Sequence, residues 1–285
     1  MTPPRSLTVF TRRNPNETAG ALTRIIELAA EAGAEVRVPP EEVEKHGLEG
    51  LEGAVLGADP DGDTDLAVAL GGDGTILSTL RQYAGRDVPV FAFNFGAIGF
   101  LATVEHQELD EGVRRALAGD FDVLPLPALR FEVAAGPQLA VNDVSFHRQP
   151  GGRVAELAYA VRGAPLGEVR CDGLVVATPA GSTGYNLANG GPVLAWGVEG
   201  YVVSFIAPHT LTARALVVAP DDVLEVANGS SEEPVEVTTD GRPACSLGPQ
   251  ERIELRFKHN QTLLAQIPGA TFYNRLRDKF GRLAY

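Results

Sequence analysis

Lysine is nearly missing from this chain. Lys45, Lys258 and Lys279 are the three present, and arginine supplies the rest of the 24 basic residues in 285. The stretch from His46 to Phe257 therefore cannot provide a catalytic lysine. Basic residues are also outnumbered, for a formal net charge of -13. That balance argues against a nucleic acid or an anionic membrane held by a general basic field, so an anionic ligand must be held by local groups or by Mg2+. Cysteine is as sparse: Cys171 and Cys245 are far apart, without a CxxC or a nearby histidine cluster. Neither a zinc site nor a disulfide framework is indicated, and buried free thiols are expected. Long apolar runs are lacking too. The longest, VPVFAFNFGAIGFLA, is broken by Asn94 and glycines and is too short to span a bilayer. MTPPRSLTVF has no basic segment leading into an apolar one, so it does not read as a secretory signal. The expectation is a cytoplasmic protein with no nucleic-acid and no membrane partner. No repeat with a period of about 20 to 50 residues is visible.

What is present is the material of two domains, the usual division for a chain of this length. Ser6 to Phe10 reads as a strand, Asn14 to Asn16 as a turn, and Thr18 to Ala32 as a helix stopped by Gly33. AEVRV, DLAVAL and VPVFAFN follow as strands, with ILSTLRQYA as a helix between the last two. Strands alternating with helices imply a parallel sheet with right-handed crossovers. Beyond about Asp120 the texture changes to short, β-branched segments punctuated by Gly, Pro, Asn and Asp, the pattern of an antiparallel β domain. The expected fold is an α/β N-terminal domain with a parallel sheet plus a β-rich antiparallel C-terminal domain. The boundaries are 1–120 and 121–269, with 270–285, containing the helical FYNRLRDKF, packing back on the first domain.

Three segments can carry chemistry. In DLAVALGGDGTILSTL a glycine knot joins strand to helix. It lacks the lysine of a Walker A loop and the GxGxxG of a dinucleotide fingerprint. Gly71, Gly72 and Gly74 are expected to allow positive φ and close approach of phosphate or ATP, and Thr75 to cap the helix or touch phosphate. Asp73 has two open readings: a cap for free helix amides, or a base that accepts a proton from a hydroxyl attacking a γ-phosphate. In CDGLVVATPAGSTGYNLANGGP, Tyr185 among small hydroxyls and amides suits a nucleoside, and a hairpin turn stabilised by its own Ser and Thr is the alternative. In AVNDVSF, Asn142 and Asp143 interrupt an alternating strand, as a β-bulge or turn would. The run Glu41, Glu42, Glu44 reads as a solvated face. His46, His106, His147 and His259 lack ligand-like spacing.

Taken together these motifs resemble the NAD kinase family, in which GGDGT and TPxGSTxYN occur in this order. NFGAIGFLAT is similar to its NxGxxGFL segment, VNDV to its NE/D motif and APHTLTARALVV, with His209, to its PHxLxxRPLV run. GGDGT alone is shared with lipid kinases of the diacylglycerol and sphingosine type. The resemblance covers nearly the whole chain and implies transfer of the ATP γ-phosphate to the 2′-hydroxyl of NAD's adenosine ribose. It implies Asp73 as proton acceptor, Gly74 in its turn, and Phe100 against the nucleotide. Asn142 and Asp143 would hold the adenosine ribose region, Asp143 standing where the family more often has Glu. Arg170 and Asp172 fall on substrate positions, and Thr183, Gly184, Tyr185, Asn186, Leu187 and Ala188 on the adenine and nicotinamide side. Arg242 stands where many bacterial relatives have Gln. Mg2+ or another divalent cation, brought on the ATP phosphates with no metal ligand directly identifiable in the sequence, would offset the repulsion between Asp73 and ATP, and the resemblance further implies a homodimer or homotetramer. Two other readings remain at this stage: a GGDGT-type lipid or small-molecule kinase, and a module that senses NAD or NADP without turnover.

Overall fold

The computed structural model describes residues 2–50, 52–96 and 99–281. The chain divides into two compact units, Met1–Pro125 with Thr262–Tyr285, and Leu126–Gln261.

The first unit is built on a parallel sheet. Its elements are β1 (Ser6–Thr11), α1 (Ala19–Ala32), β2 (Glu35–Val38), α2 (Pro40–His46), β3 (Ala54–Leu56), β4 (Leu66–Gly71), α3 (Asp73–Gln82), β5 (Pro89–Asn94), β6 (Val104–Glu105) and α4 (Leu109–Ala118). The strand order is β5-β4-β1-β2-β3, all parallel, and β6 pairs with β5. Every residue of β4 and β5 is buried, which is why both read as continuous apolar runs rather than alternating ones. Order reverses on either side of β1, so β1 and β4 form a switch point, and ligands of such sheets bind beyond the carboxyl ends of the strands there. The core gathers Leu7, Val9, Ile25, Val68, Leu70, Phe91, Phe93 and Val113 between sheet and helices. Gly33 at φ 72° ends α1, as the sequence indicates.

The second unit is antiparallel. It contains β7 (Asp122–Val133, which begins in the first unit), β8 (Gly136–Ala140), β9 (Asp143–Arg148), β10 (Ala155–Val161), β11 (Ala164–Cys171), β12 (Gly173–Ala177), α5 (Tyr185–Ala188), β13 (Tyr201–Ile206), β14 (Leu216–Val218), β15 (Leu224–Asn228), β16 (Val235–Thr239), β17 (Arg242–Leu247) and most of β18 (Arg252–Gln266). One sheet runs β14-β13-β12-β9-β16-β17; β11, β10, β15 and β18 pair with one another in that order. Phe146, Leu174, Val176, Tyr201, Val203, Val237 and Leu255 fill the space enclosed. The chain then returns to the first unit. Leu263 and Leu264 of β18 pair in parallel with Pro89 and Val90, and α6 (Phe272–Phe280) buries Phe272 and Leu276.

Several features depart from the sequence reading. The acidic run is a helix, α2, and Glu42 is buried rather than solvated. Its carboxylate accepts the Thr11 hydroxyl at 2.6 Å and Lys45 Nζ at 2.6 Å, which supplies the partners that burial demands. Helix α4 was not evident because Gly112 stands on its buried face, where a Cβ would come within 2.6 Å of the Phe93 ring. Strands β3 and β17 were not evident either. Cys171 is buried, whereas Cys245 is half-buried; both are free.

Candidate active site

The glycine turn sits at the carboxyl end of β4, beside the switch point. None of its glycines adopts positive φ. Gly71 is needed for space. A Cβ on Gly71 would stand 2.3 Å from Thr75 Oγ1, and one on Gly72 3.6 Å from the Gly96 Cα; only Gly74 faces open space. Thr75 thus packs back on Gly71, and α3 has no side-chain cap hydrogen bond.

The cap position itself is Gly72, which has no side chain. Asp73 is the first residue of α3, yet its carboxylate turns to another segment. Oδ1 accepts the amides of Phe100 at 3.0 Å and Leu101 at 3.1 Å, while Oδ2 shares the Phe100 amide at 3.1 Å. Burial pushes its carboxyl up from the ordinary range, opposed by those two amides and by the charges of Arg275 and Lys279. The result is a fixed, partly desolvated carboxylate with one oxygen less engaged than the other. Phe100 contributes its amide here; its ring is buried 5.7 Å from Phe272 and 5.9 Å from Phe280, in packing with α6. Ala97 and Ile98 of the NFGAIGFLAT segment, and Arg282–Tyr285, lie outside the described residues.

The second unit carries the other expected residues. Asp240 lies in the Asp-Gly turn joining β16 to β17, with φ 46° followed by Gly241 at 73°. Its carboxylate accepts the amides of Val141 at 3.1 Å, Asn142 at 2.7 Å and Asp143 at 3.1 Å, which pins the ND pair. Asn142 is the turn before β9, and its Oδ1 is buried with no hydrogen-bond partner. Asp143 opens β9, is 7% exposed, and has its carboxyl pushed up to about 7 by burial and by the charge of Asp240. The sequence offered no sign of Asp240 beyond a hairpin dipeptide.

TPAGSTGYN is two helical turns between antiparallel neighbours rather than a hairpin turn. Its own groups brace it. Thr178 donates to the Val141 carbonyl at 2.6 Å, Ser182 to Pro179 at 2.7 Å, and Asn186 Nδ2 to Ser182 and Pro192 at 2.9 and 3.0 Å. Gly181 touches Asn142 so closely that a Cβ would lie 2.0 Å from its carbonyl oxygen, coupling this segment to the ND pair. Asn186 is buried, so its amide serves the loop, whereas Gly184, Tyr185 and Ala188 are exposed and Thr183 and Leu187 half-exposed. The Tyr185 ring stacks on His147, centroids 5.8 Å apart. Asp172 pairs with Arg148 at 2.6 Å, and Arg170, exposed, reaches Glu156 at 3.4 Å. Arg242 is exposed at the start of β17. Arg148, His147 and Asp240 were not singled out for this site from sequence, because each owes its place to pairing across the sheet.

Among the described residues no three His, Cys, Asp or Glu side chains converge as a metal-ligand set. No helix among them is long and apolar enough to cross a membrane.

Residues 54–121 match the family model of the ATP-NAD kinase N-terminal domain, and residues 141–266 that of the ATP-NAD kinase C-terminal domain. An NAD kinase of Gemmatimonas aurantiaca is 35% identical over 223 residues, covering 76% of this chain and 77% of its own length. The chain belongs to the NAD kinase family. Solved structures of NAD kinases agree on the fold. The Archaeoglobus fulgidus NAD kinase in complex with ATP superposes with TM-score 0.73 at 25% identity, over 97% of both chains. The yeast NADH kinase complexed with NADH gives TM-score 0.87 over 99% of this chain and 90% of its own, at 22% identity. As in the NAD kinase reading of its sequence, the chain joins a parallel α/β unit to an antiparallel β-rich one.

Proposed function

We propose that this protein is an NAD kinase that transfers the γ-phosphoryl group of ATP to the 2′-hydroxyl of the adenosine ribose of NAD, with Asp73 as proton acceptor. In that step the ribose oxygen forms a bond to γ-phosphorus, the bond from γ-phosphorus to the bridging oxygen breaks, ADP leaves, and the hydroxyl proton passes to Asp73. The observation that carries the reading is the Asp73 carboxylate, turned away from capping its own helix and held by the Phe100 and Leu101 amides at the end of β4. Phosphoryl transfer asks mainly for positioning and charge neutralisation, so a modest base so placed suffices. Gly74, which faces open space, leaves room for phosphate beside the turn.

In the second unit, the unpartnered Asn142 Oδ1 and the nearly buried Asp143 are suited to ribose and base donors, and the exposed Tyr185 to a planar ring. Arg170, Asp172, Thr183, Gly184, Leu187, Ala188 and Arg242 are assigned to substrate by resemblance, and Asn186 through its bracing of the loop. Mg2+ riding on the donor's phosphate oxygens would neutralise their charge. A cytoplasmic homodimer or homotetramer completes the reading.

The test is a matrix of ATP, other triphosphates and polyphosphate against NAD and NADH, with Mg2+. ATP with NAD should give NADP, and no product above a boiled control with any donor refutes the assignment. Asp73→Asn should lose turnover while keeping NAD affinity, since it removes the base and little volume.

A further inference from the structure

The scarcity of lysine leaves the Asp73 centre without the cation that phosphate-handling turns usually carry. The structure brings two cations there from α6, near the other end of the chain. Arg275 is half-buried, and its guanidinium is spent on backbone. Nη1 donates to the Phe100 carbonyl at 3.0 Å and to the Ala102 carbonyl, and Nη2 to Gln266 Oε1 at 2.6 Å. The Phe100 carbonyl it holds belongs to the same peptide unit as the Leu101 amide that holds Asp73. Lys279, one turn further, donates to Glu105 Oε1 at 2.9 Å; Glu105 Oε2 accepts Asn94 Nδ2 at 2.8 Å, and Asn94 Oδ1 accepts the Gly96 amide at 3.0 Å. One helix therefore bonds Phe100 and Ala102 directly and reaches the Gly96 amide through Glu105 and Asn94.

We propose that Arg275 is a positioning residue for the phosphoryl transfer: by fixing the Phe100 and Ala102 carbonyls it keeps the Phe100 and Leu101 amides aimed at Asp73. The inference rests on the reading of Asp73 as proton acceptor. A planar fork suits this work because it binds several oxygens in a fixed geometry, which a lysine cannot reproduce. The cost is evident in the burial of a cation, which lowers the Arg275 pKa while Asp73 and Glu105 raise it. The groups that set the Asp73 charge are the Phe100 and Leu101 amides together with Arg275 and Lys279 of α6. Loss of Arg275 removes one cation directly and loosens the amides, and both changes disfavour the carboxylate form.

Steady-state kinetics on the full chain test this, with Arg275→Ala, Arg275→Lys, Asp73→Asn, and Arg277→Ala as control, since Arg277 is exposed and pairs with Asp278 on the same helix. Arg275→Ala should lower kcat by about 10- to 100-fold, leave KM for NAD and ATP within about threefold, and move the acid limb of the kcat profile to higher pH. Arg275→Lys should fall between it and the parent, and Arg277→Ala should match the parent. Should Arg275→Ala fail to fold, Arg275→Lys carries the same expectation at smaller size. Parental kcat and acid limb in the Arg275 variants, with Asp73→Asn inactive, overturn the proposal and spare the role of Asp73. So does a loss of activity that only tracks the loss of folded protein, with the limb unmoved. Parental turnover in Asp73→Asn overturns the underlying reading instead.

Discussion

Asp143→Asn should stabilise the protein, and more so as pH rises. The Asp143 carboxyl is 7% exposed and lies beside the charge of Asp240, which together push it up to about 7 from 3.8. An acid whose folded pKa is raised contributes stability fully present below its unfolded value and lost as pH climbs through the folded one. Each tenfold step in proton affinity is worth about 1.4 kcal/mol. Below roughly pH 4 both states are protonated, and above roughly pH 7 both are ionised, so the loss accumulates between these limits. Between pH 5 and pH 8 it amounts to about 3 kcal/mol, or roughly 10 °C in Tm for a unit of this size. Asparagine cannot ionise and keeps the volume. Thermal unfolding of parent and variant at half-unit pH steps gives a Tm difference from which any constant effect of the amide cancels. The difference should widen through pH 5 to 7 and then level off. A difference that is flat, or that narrows with rising pH, refutes the claim that Asp143 is held protonated by burial and by Asp240.

Other substitutions separate packing from chemistry. Gly71→Ala drives a methyl group against Thr75 Oγ1, and about 1–3 kcal/mol of stability should be lost along with turnover, read by Tm and kcat together. Asn142→Ala deletes a buried oxygen that the folded protein leaves unpaired, so KM for NAD should rise about tenfold with Tm nearly unchanged. Glu42→Ala deletes a buried acceptor, while Lys45 keeps the Thr11 carbonyl and the Thr11 hydroxyl keeps His46 Nε2, and should cost about 1–3 kcal/mol in urea unfolding without altering KM.

The parallel sheet was legible because β4 and β5 are buried on both faces and must be apolar throughout. Helix α1 was legible because its apolar stripe is complete and Gly33 closes it. Helix α4 escaped because a glycine occupies its stripe for steric reasons that concern Phe93, a residue in another element. The same limit governs the candidate site. Asp73, Asn142, Asp143 and Tyr185 stand in motifs, and short-range pattern finds motifs. Asp240 and Arg275 act through backbone amides and carbonyls remote in sequence, and nothing in their own neighbourhoods marks them. The glycines of GGDGT show a third limit: none has the left-handed backbone expected of them, and only Gly71 answers a demand for room, beside Thr75. Glu42 looked like part of a charged face because its partners, Thr11 and Lys45, include one more than thirty residues away.

The return of Thr262–Tyr285 to the first unit sets an order of assembly on the ribosome. The β-rich unit is complete in the nascent chain once Gln261 has emerged, whereas the unit holding Asp73 still lacks the strand segment that pairs with β5 and the helix that carries Arg275. Domains generally fold as units as they are synthesised. A chain halted by a premature stop between Gln261 and α6 would thus release a finished second unit beside an unfinished first one. Kinase capacity arrives at a single point late in translation, and a truncated product gains none of it in part.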